Sequence, residues 1–511
     1  MTTVPGTPYL PSATGRRQWR ERRALVACLA VAAGLVLIRT AVPLIYEQVF
    51  DSDQAIVGLM AKHLSEFRSF PLFFYGQNYM LGVQAWIAAP CFWLGGPTVA
   101  MLRLPLVLFN VGVACGLILI FTRLGVRPVF ALVTALPILA TTPTISLELM
   151  SNLGASIEPF AYVLLLWGLR RRPVAFGVLF GVATLHREFT WAVLPALAVA
   201  QWRTRGDWSP LGVAKGAGAF AAVWIVVDLL KQQVNTFGPA GGAFATGSLA
   251  LGPATIAKWL SFRWEPYLGR EVDLVMQGGP ELFGARSYVV GSAGLPEGFA
   301  AGSTVAAGLL VAALVACAVR LIWMARRPGM VRRGGDSRVA VYLAMIGGAT
   351  VVAYGLNGGI QAGAPTVFRY VLFALLLPVA FFGGYFQLET GRAWRSTVAL
   401  LIALWAGCNV WDNARLAYAC AATPTPRHHR IMADYLVAKG IKYGRAGYWD
   451  CYVINFLSRE RVTLASTSVV RISSYQAAVD RHAEEAVTLV RQPCKGGTPV
   501  DAWCVADPKN R

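Results

Sequence analysis

The chain has 511 residues, of which 56% are hydrophobic and only 14% charged, with a formal net charge of +20. A soluble domain of this size carries about 25% charged residues. The apolar runs reach bilayer length, which excludes a soluble enzyme and points to a polytopic α-helical membrane protein. The positive charge is not a nucleic-acid footprint, because the arginine clusters fall in short loops between apolar runs, as the cytoplasmic loops of membrane proteins do.

In chain order, residues 1–23 carry Arg16, Arg17, Arg20, Arg22 and Arg23 and read as a cytoplasmic tail. Ala24–Tyr46 is too long for a signal-peptide core and shows no convincing small-residue cleavage site, so it reads as a first span. An outer loop, 47–103, follows. Its apolar stretch Val83–Leu94 is short for a span and is expected to lie along the outer surface or under the bundle. Spans are then expected at 104–121, 128–142, 155–169, 174–185, 189–202 and 211–230. After a second outer segment, 231–301, four more are expected at 303–324, 339–356, 370–385 and 397–410. With about eleven spans, Arg123/Arg127, Arg170–Arg172, Arg203/Arg205, Arg326–Arg338 and Arg392/Arg395 all fall on the inner side, giving a cytoplasmic N-terminus. Residues 24–410 therefore read as the membrane domain. Residues 411–511 read as a small extracytoplasmic α/β domain, with helices at 431–440 and 475–489 and strands at 446–457 and 462–466.

There are nine cysteines. Cys28, Cys91, Cys115, Cys317 and Cys408 lie in apolar or membrane-proximal stretches, where a small buried hydrophobe is the expected role. Cys420, Cys451, Cys494 and Cys504 permit two disulfides in an outer domain, with the pairing open. None has metal-ligand spacing.

The chemistry-bearing stretch is FDSDQAIVGLMAKHLSEF, Phe50 to Phe67. Ile56, Leu59, Met60, Leu64 and Phe67 recur at helical spacing, so it reads as an amphipathic helix with Asp51 and Asp53 at its start. Helix capping accounts for one such aspartate. A carboxylate at the membrane surface beside a cavity could equally serve as a general base for a hydroxyl. The helix is followed by PLFFYGQNYMLGVQAWIAAP, which offers Tyr75, Gln77 and Tyr79 as candidate substrate contacts, and by an Arg103-Leu-Pro start to the next span.

This order of loops and spans resembles the GT-C glycosyltransferases, and within them family 39 and its bacterial relatives, the protein O-mannosyltransferases and lipid A aminoarabinose transferases. In that family an Asp-Glu or Asp-x-Asp motif opens the first surface helix, so the resemblance implies Asp53, then Asp51, as the catalytic group. Gln54 stands where the family has its second acid, which weakens a divalent-metal site at Asp51 and Asp53, and Gln84 replaces another acid. The resemblance further implies that Glu158 faces the same cavity and that Arg369-Tyr370 meets the phosphate of a lipid donor. A guanidinium suits that task, although arginines also snorkel at interfaces. His186 and Arg187 lie at an outer turn and are candidate phosphate contacts. Tyr448, Trp449 and Tyr452 of the tail could stack on sugars or simply fill a core, and no catalytic residue is expected there. Asp228 is expected to pair with Lys231 rather than to act in catalysis.

What the resemblance implies is transfer of a monosaccharide from a polyprenyl-phosphate donor to a hydroxyl of a lipid, glycan or protein acceptor at the outer face of a bacterial plasma membrane. The competing expectation is a transporter or flippase of a lipid-linked glycan. That reading calls for an internal repeat, and the sequence shows none.

Overall fold

A computed structural model of the chain describes residues 13–77, 80–152, 156–202, 209–234, 264–291, 295–326, 337–356, 363–494 and 496–506. Helix α1 (Ala13–Ile45) leads to a pair of loop helices, α2 (Ser52–Ser65) and α3 (Val83–Gly95). There follow α4 (Val99–Arg123), α5 (Pro128–Leu139), the short α6 (Pro143–Glu148), α7 (Glu158–Leu169), α8 (Pro173–His186), α9 (Val193–Gln201) and α10 (Pro210–Val234). After α11 (Trp264–Asp273) and a two-residue pairing of β1 (Tyr288–Val289) with β2 (Ala300–Ala301) come α12 (Thr304–Ala325), α13 (Arg338–Leu356), α14 (Leu376–Leu388) and α15 (Arg392–Ala422). Among the described residues, 6 helices are long and apolar enough to cross a membrane, and shorter apolar helices fill the bundle between them.

Small residues set a close contact between α8 and α10. A Cβ at Gly177 would stand 2.1 Å from the carbonyl oxygen of Gly216, and one at Gly181 would stand 2.9 Å from Val223 Cβ. The backbones of α8 and α10 can approach so closely only because no side chain intervenes. Helix α3 packs against α2 and α4 through Ala85, Ala88 and Phe92. Its far end leaves Trp93 and Leu94 62% and 84% exposed, beside Phe67 and Phe70 at 67% and 57%. The rings of Phe67 and Trp93 stack at 5.9 Å. An aromatic fringe on a loop helix is of the kind that suits a membrane–water interface.

The described residues from His428 to Ala506 form a small α/β unit. Its 5-stranded sheet has the order β4-β3-β5-β7-β6, from β3 (Tyr443–Ala446), β4 (Thr463–Ser466), β5 (Val487–Arg491), β6 (Thr498–Val500) and β7 (Trp503–Ala506). β3 is parallel to β4 and β5, and β7 is antiparallel to β5 and β6. Helices α16 (His428–Ala438), α17 (Tyr448–Leu457) and α18 (Ser473–Arg481) pack against it. The expected strand at 446–457 is mostly helix α17. Its residues from Cys451 to Leu457 are all buried, so no one-sided periodicity marks it as a helix. The expected helix at 475–489 stops at Arg481 and gives way to β5. Cys494 and Cys504 form a disulfide, whereas Cys420 and Cys451 are buried free thiols.

The described residues form two main apolar cores. One lies inside the helix bundle. The other is shared: Ile56, Leu59 and Met60 of α2, Phe92 of α3 and Leu102 of α4 pack with Ile454, Phe456 and Val487 of the C-terminal unit. Gly58 makes room for this docking, since a Cβ there would meet the Phe456 ring at 2.6 Å.

Candidate active site

Asp51 caps α2, accepting a 2.9 Å hydrogen bond from the backbone N–H of Gln54. Burial and the neighbouring Asp53 charge raise the Asp51 carboxyl above its ordinary range, opposed by that N–H and by Arg103. The Gln54 side chain is engaged within the protein. Its side-chain oxygen accepts from Arg103 at 2.8 Å and its amide donates to the carbonyl of Val49 at 3.1 Å. Arg103 is buried and also donates to the carbonyls of Pro43 and Tyr46. A glutamine serves here because it can both accept from the guanidinium and donate to a carbonyl, which a carboxylate cannot. Asp53, in the first turn of α2, accepts a hydrogen bond from the Tyr448 hydroxyl of the C-terminal unit.

A third carboxylate joins the two aspartates. Glu148 ends α6, whose start is capped by Thr142 and whose preceding loop is held by Asn409 and Asn413 of α15, donating to the carbonyls of Ala140 and Thr141 at 3.0 and 2.8 Å. Glu148 lies in the electrostatic reach of Arg369 on one side and Asp51 on the other. Burial raises its carboxyl and Arg369 pulls it down. Sequence reasoning missed Glu148, a lone acid between two apolar stretches, and the nearby asparagines of α15.

Arg369 sits in a 3-10 turn, Phe368–Tyr370, with its guanidinium carbon 5.2 Å from the Tyr370 ring centre. Among the described residues its buried Nε has no hydrogen-bond partner. Arg369 and Tyr370 line a small pocket with Ser156, Pro159, Phe189 and Thr350. Arg187 lies in the electrostatic reach of Arg369, Glu158 and Glu188. Glu158, fully buried at the start of α7, accepts from Gln84 Nε2 at 2.5 Å and from Ser156 Oγ at 2.8 Å. Gln84, His186 and Arg187 line an adjoining pocket with Met60, Phe74 and Gly82. The result is one run of charge: Asp53, Asp51, Glu148, Arg369, Arg187 and Glu158.

The remaining sequence candidates lie off this run. Tyr75 is 1% exposed and its hydroxyl bonds His63 Nδ1 at 2.9 Å, beneath the C-terminal unit. This is a correction to its expected substrate-facing role, because burial against the domain leaves it no open face. Gln77 is partly buried and its backbone N–H closes the turn onto Phe74. Tyr79 lies outside the described residues. The His186 ring is buried and bonds the Tyr162 hydroxyl at 2.9 Å, so it touches the pocket from behind. Asp228 is exposed on α10, and the side chain of Lys231 lies outside the described residues. A larger groove of about 620 Å³ between α8, α9 and α10 sits at the Arg170–Arg171 end of α8, away from the carboxylates.

For metal, the described residues contain no group of three or more His, Cys, Asp or Glu arranged to hold an ion. Asp51 and Asp53 alone make a two-residue donor set, and one oxygen of each already accepts a hydrogen bond. By themselves the two side chains fall short of the six or more oxygen ligands that calcium or magnesium takes.

A bundle of apolar helices with a small α/β unit docked on one of its loops is similar in fold to solved GT-C membrane glycosyltransferases. The particular likeness is to ArnT from Cupriavidus metallidurans. Its structure bound to undecaprenyl phosphate matches with a TM-score of 0.56 at 12% identity, covering 91% of this chain and 92% of that one. The apo structure of the same protein matches at 0.55 and 12% identity over the same shares. The apo oligosaccharyltransferase of Archaeoglobus fulgidus matches at 0.49 and 12% identity, over 91% of this chain and 69% of that one. No family model matches the chain, and no curated protein matches it in sequence. At these identities the likeness is one of fold.

Proposed function

We propose that this protein transfers a monosaccharide from a polyprenyl-phosphate donor to an acceptor hydroxyl at the outer face of a membrane. The observation that carries the reading is Arg369, a half-buried guanidinium within electrostatic reach of Glu148, which lies in turn within reach of Asp51 and through it of Asp53. A cation able to grip a phosphate beside a carboxylate able to take a proton is the pairing that glycosyl transfer from a lipid phosphate requires. The GT-C fold, and the undecaprenyl phosphate bound to the similar ArnT, support the choice of donor.

In this reading the donor's phosphate meets Arg369, with Arg187 adding positive charge and Glu148 orienting the Arg369 guanidinium. Asp53 takes the proton of the acceptor hydroxyl. The hydroxyl oxygen forms its bond to the anomeric carbon as the bond from that carbon to the phosphate oxygen breaks. The electron pair leaves with polyprenyl phosphate, whose charge Arg369 stabilises. One displacement inverts the anomeric centre, and the proton on Asp53 passes to the outer water. Asp51, held as the cap of α2, fixes the start of the helix that carries Asp53. The N-terminus is cytoplasmic and the C-terminal unit extracytoplasmic, in a bacterial plasma membrane.

The test is to incubate purified protein in lipid with a panel of undecaprenyl-phosphate sugars and measure released undecaprenyl phosphate. Wild type should release it and Asp53→Asn should fall by about 10²–10⁴-fold with folding intact. Equal release by the two proteins would refute Asp53 as the base.

A further inference from the structure

The C-terminal unit does more than cover the outer loop. Two consecutive residues at the start of α2 hold one residue of α17: Ser52 Oγ donates to the Tyr448 carbonyl at 2.5 Å, and Asp53 Oδ1 accepts from the Tyr448 hydroxyl. The phenol is nearly buried and forms edge contacts with the rings of Trp449 and Tyr452 at 5.0 and 5.6 Å. Arg471 stands behind it, 5.9 Å from the ring centre and hydrogen-bonded to it. Arg471 is itself fitted to the outer-loop turn. Its guanidinium lies 5.6 Å from the Phe74 ring centre, and a Cβ on Gly76, whose φ is +72°, would meet Arg471 Cδ at 2.9 Å. The turn, the start of α2 and the C-terminal unit are thus moulded together around one phenol. Burial and the Asp53 charge raise Tyr448 well above the ordinary tyrosine range, so the hydroxyl remains a donor.

We propose that Tyr448 is a positioning residue of the active site, reaching in from the C-terminal unit to fix Asp53. The proposal rests on the reading of Asp53 as the base. A carboxylate has two oxygens and about four acceptor sites. With Oδ1 held by Tyr448, rotation about the side chain is arrested and Oδ2 is presented to an incoming hydroxyl. Among the described residues Asp53 makes no other side-chain hydrogen bond.

Tyr448→Phe keeps the ring and removes the donor. Two readouts on the full chain in lipid decide the matter. In the first, carboxyls are labelled with a water-soluble carbodiimide and glycinamide and quantified by mass spectrometry. Labelling of Asp53 should rise severalfold in Tyr448→Phe while the exposed Glu484 labels as in wild type, and an unchanged Asp53 rate overturns the proposal. The second follows undecaprenyl phosphate release. Loss of orientation should lower kcat about tenfold with the donor KM unchanged, and Tyr448→Phe should cost nothing further in an Asp53→Asn background. An unaltered kcat also overturns the proposal. If Asp53→Asn alone keeps full activity, the base assignment has failed, and the labelling result still decides whether Tyr448 holds Asp53.

Discussion

Gln84 Nε2 donates to Glu158 Oε1 at 2.5 Å, and both side chains are buried. The structure shows what an amide accomplishes at this position. A second carboxylate there would face Glu158 without water to screen it, whereas the amide supplies a donor. Gln84→Glu is therefore expected to destabilise the protein by about 3 kcal/mol, the scale of an uncompensated buried charge. A lowered thermal unfolding midpoint in detergent checks this, with Gln84→Asn as the milder control.

Arg369 separates a phosphate site from an interfacial anchor. An arginine that only snorkels tolerates lysine, because both present a charge to the headgroups. One that grips a phosphate through its planar fork does not. Arg369→Lys should lower kcat/KM by about tenfold and Arg369→Ala by about 10²–10³-fold, measured with whichever undecaprenyl-phosphate sugar wild type accepts. Wild-type kinetics in both variants would assign the residue to anchoring.

The far end of α2 carries a pH-dependent clasp. Glu460 accepts from Lys62 Nζ at 2.5 Å, His63 Nε2 at 2.9 Å and the Tyr475 hydroxyl at 2.6 Å. Although burial opposes it, His63 and Lys62 hold the Glu460 carboxyl well below the ordinary value of 4.5. A folded value lower than the unfolded one means that the clasp is fully stabilising above 4.5 and weakens as the pH falls through that value toward the folded one. Hydrogen exchange of α2 should accelerate on acidification below about pH 4.5. Glu460→Gln should lower stability near neutrality by about 3 kcal/mol and remove that acid dependence. An identical acid profile in the variant would rule out Glu460 as its source.

What was legible in the sequence follows from what leaves a one-dimensional trace. Helix α2 was readable because Ile56, Leu59 and Met60 repeat at helical spacing behind an aspartate, and Asp51 does cap it. The long spans were readable from length and apolarity alone. Most of helix α17 was not, because its run from Cys451 to Leu457 is buried on every side and has no solvent-facing stripe to set its period. Glu148 and Tyr448 were illegible as members of the site for a different reason. Each matters only through a partner distant in the chain, Arg369 for one and Asp53 for the other, and nothing in their own neighbourhoods announces it. Tyr75 misled in the opposite way: an aromatic turn beside a catalytic loop invites a substrate role, and only the docked domain shows that its hydroxyl is already engaged.

The shared core beneath α2 has a practical consequence. By composition, residues 428–506 look like a detachable water-soluble appendage. Yet the Phe456 ring that fills the notch at Gly58 would, in a fragment cut after α15, lie bare together with Ile454 and its neighbours. Such a fragment should self-associate rather than behave as a monomer, and the membrane portion left behind would carry a complementary greasy scar across its outer loop. Grafting this tail between related chains would therefore succeed only when the loop helix travels with it.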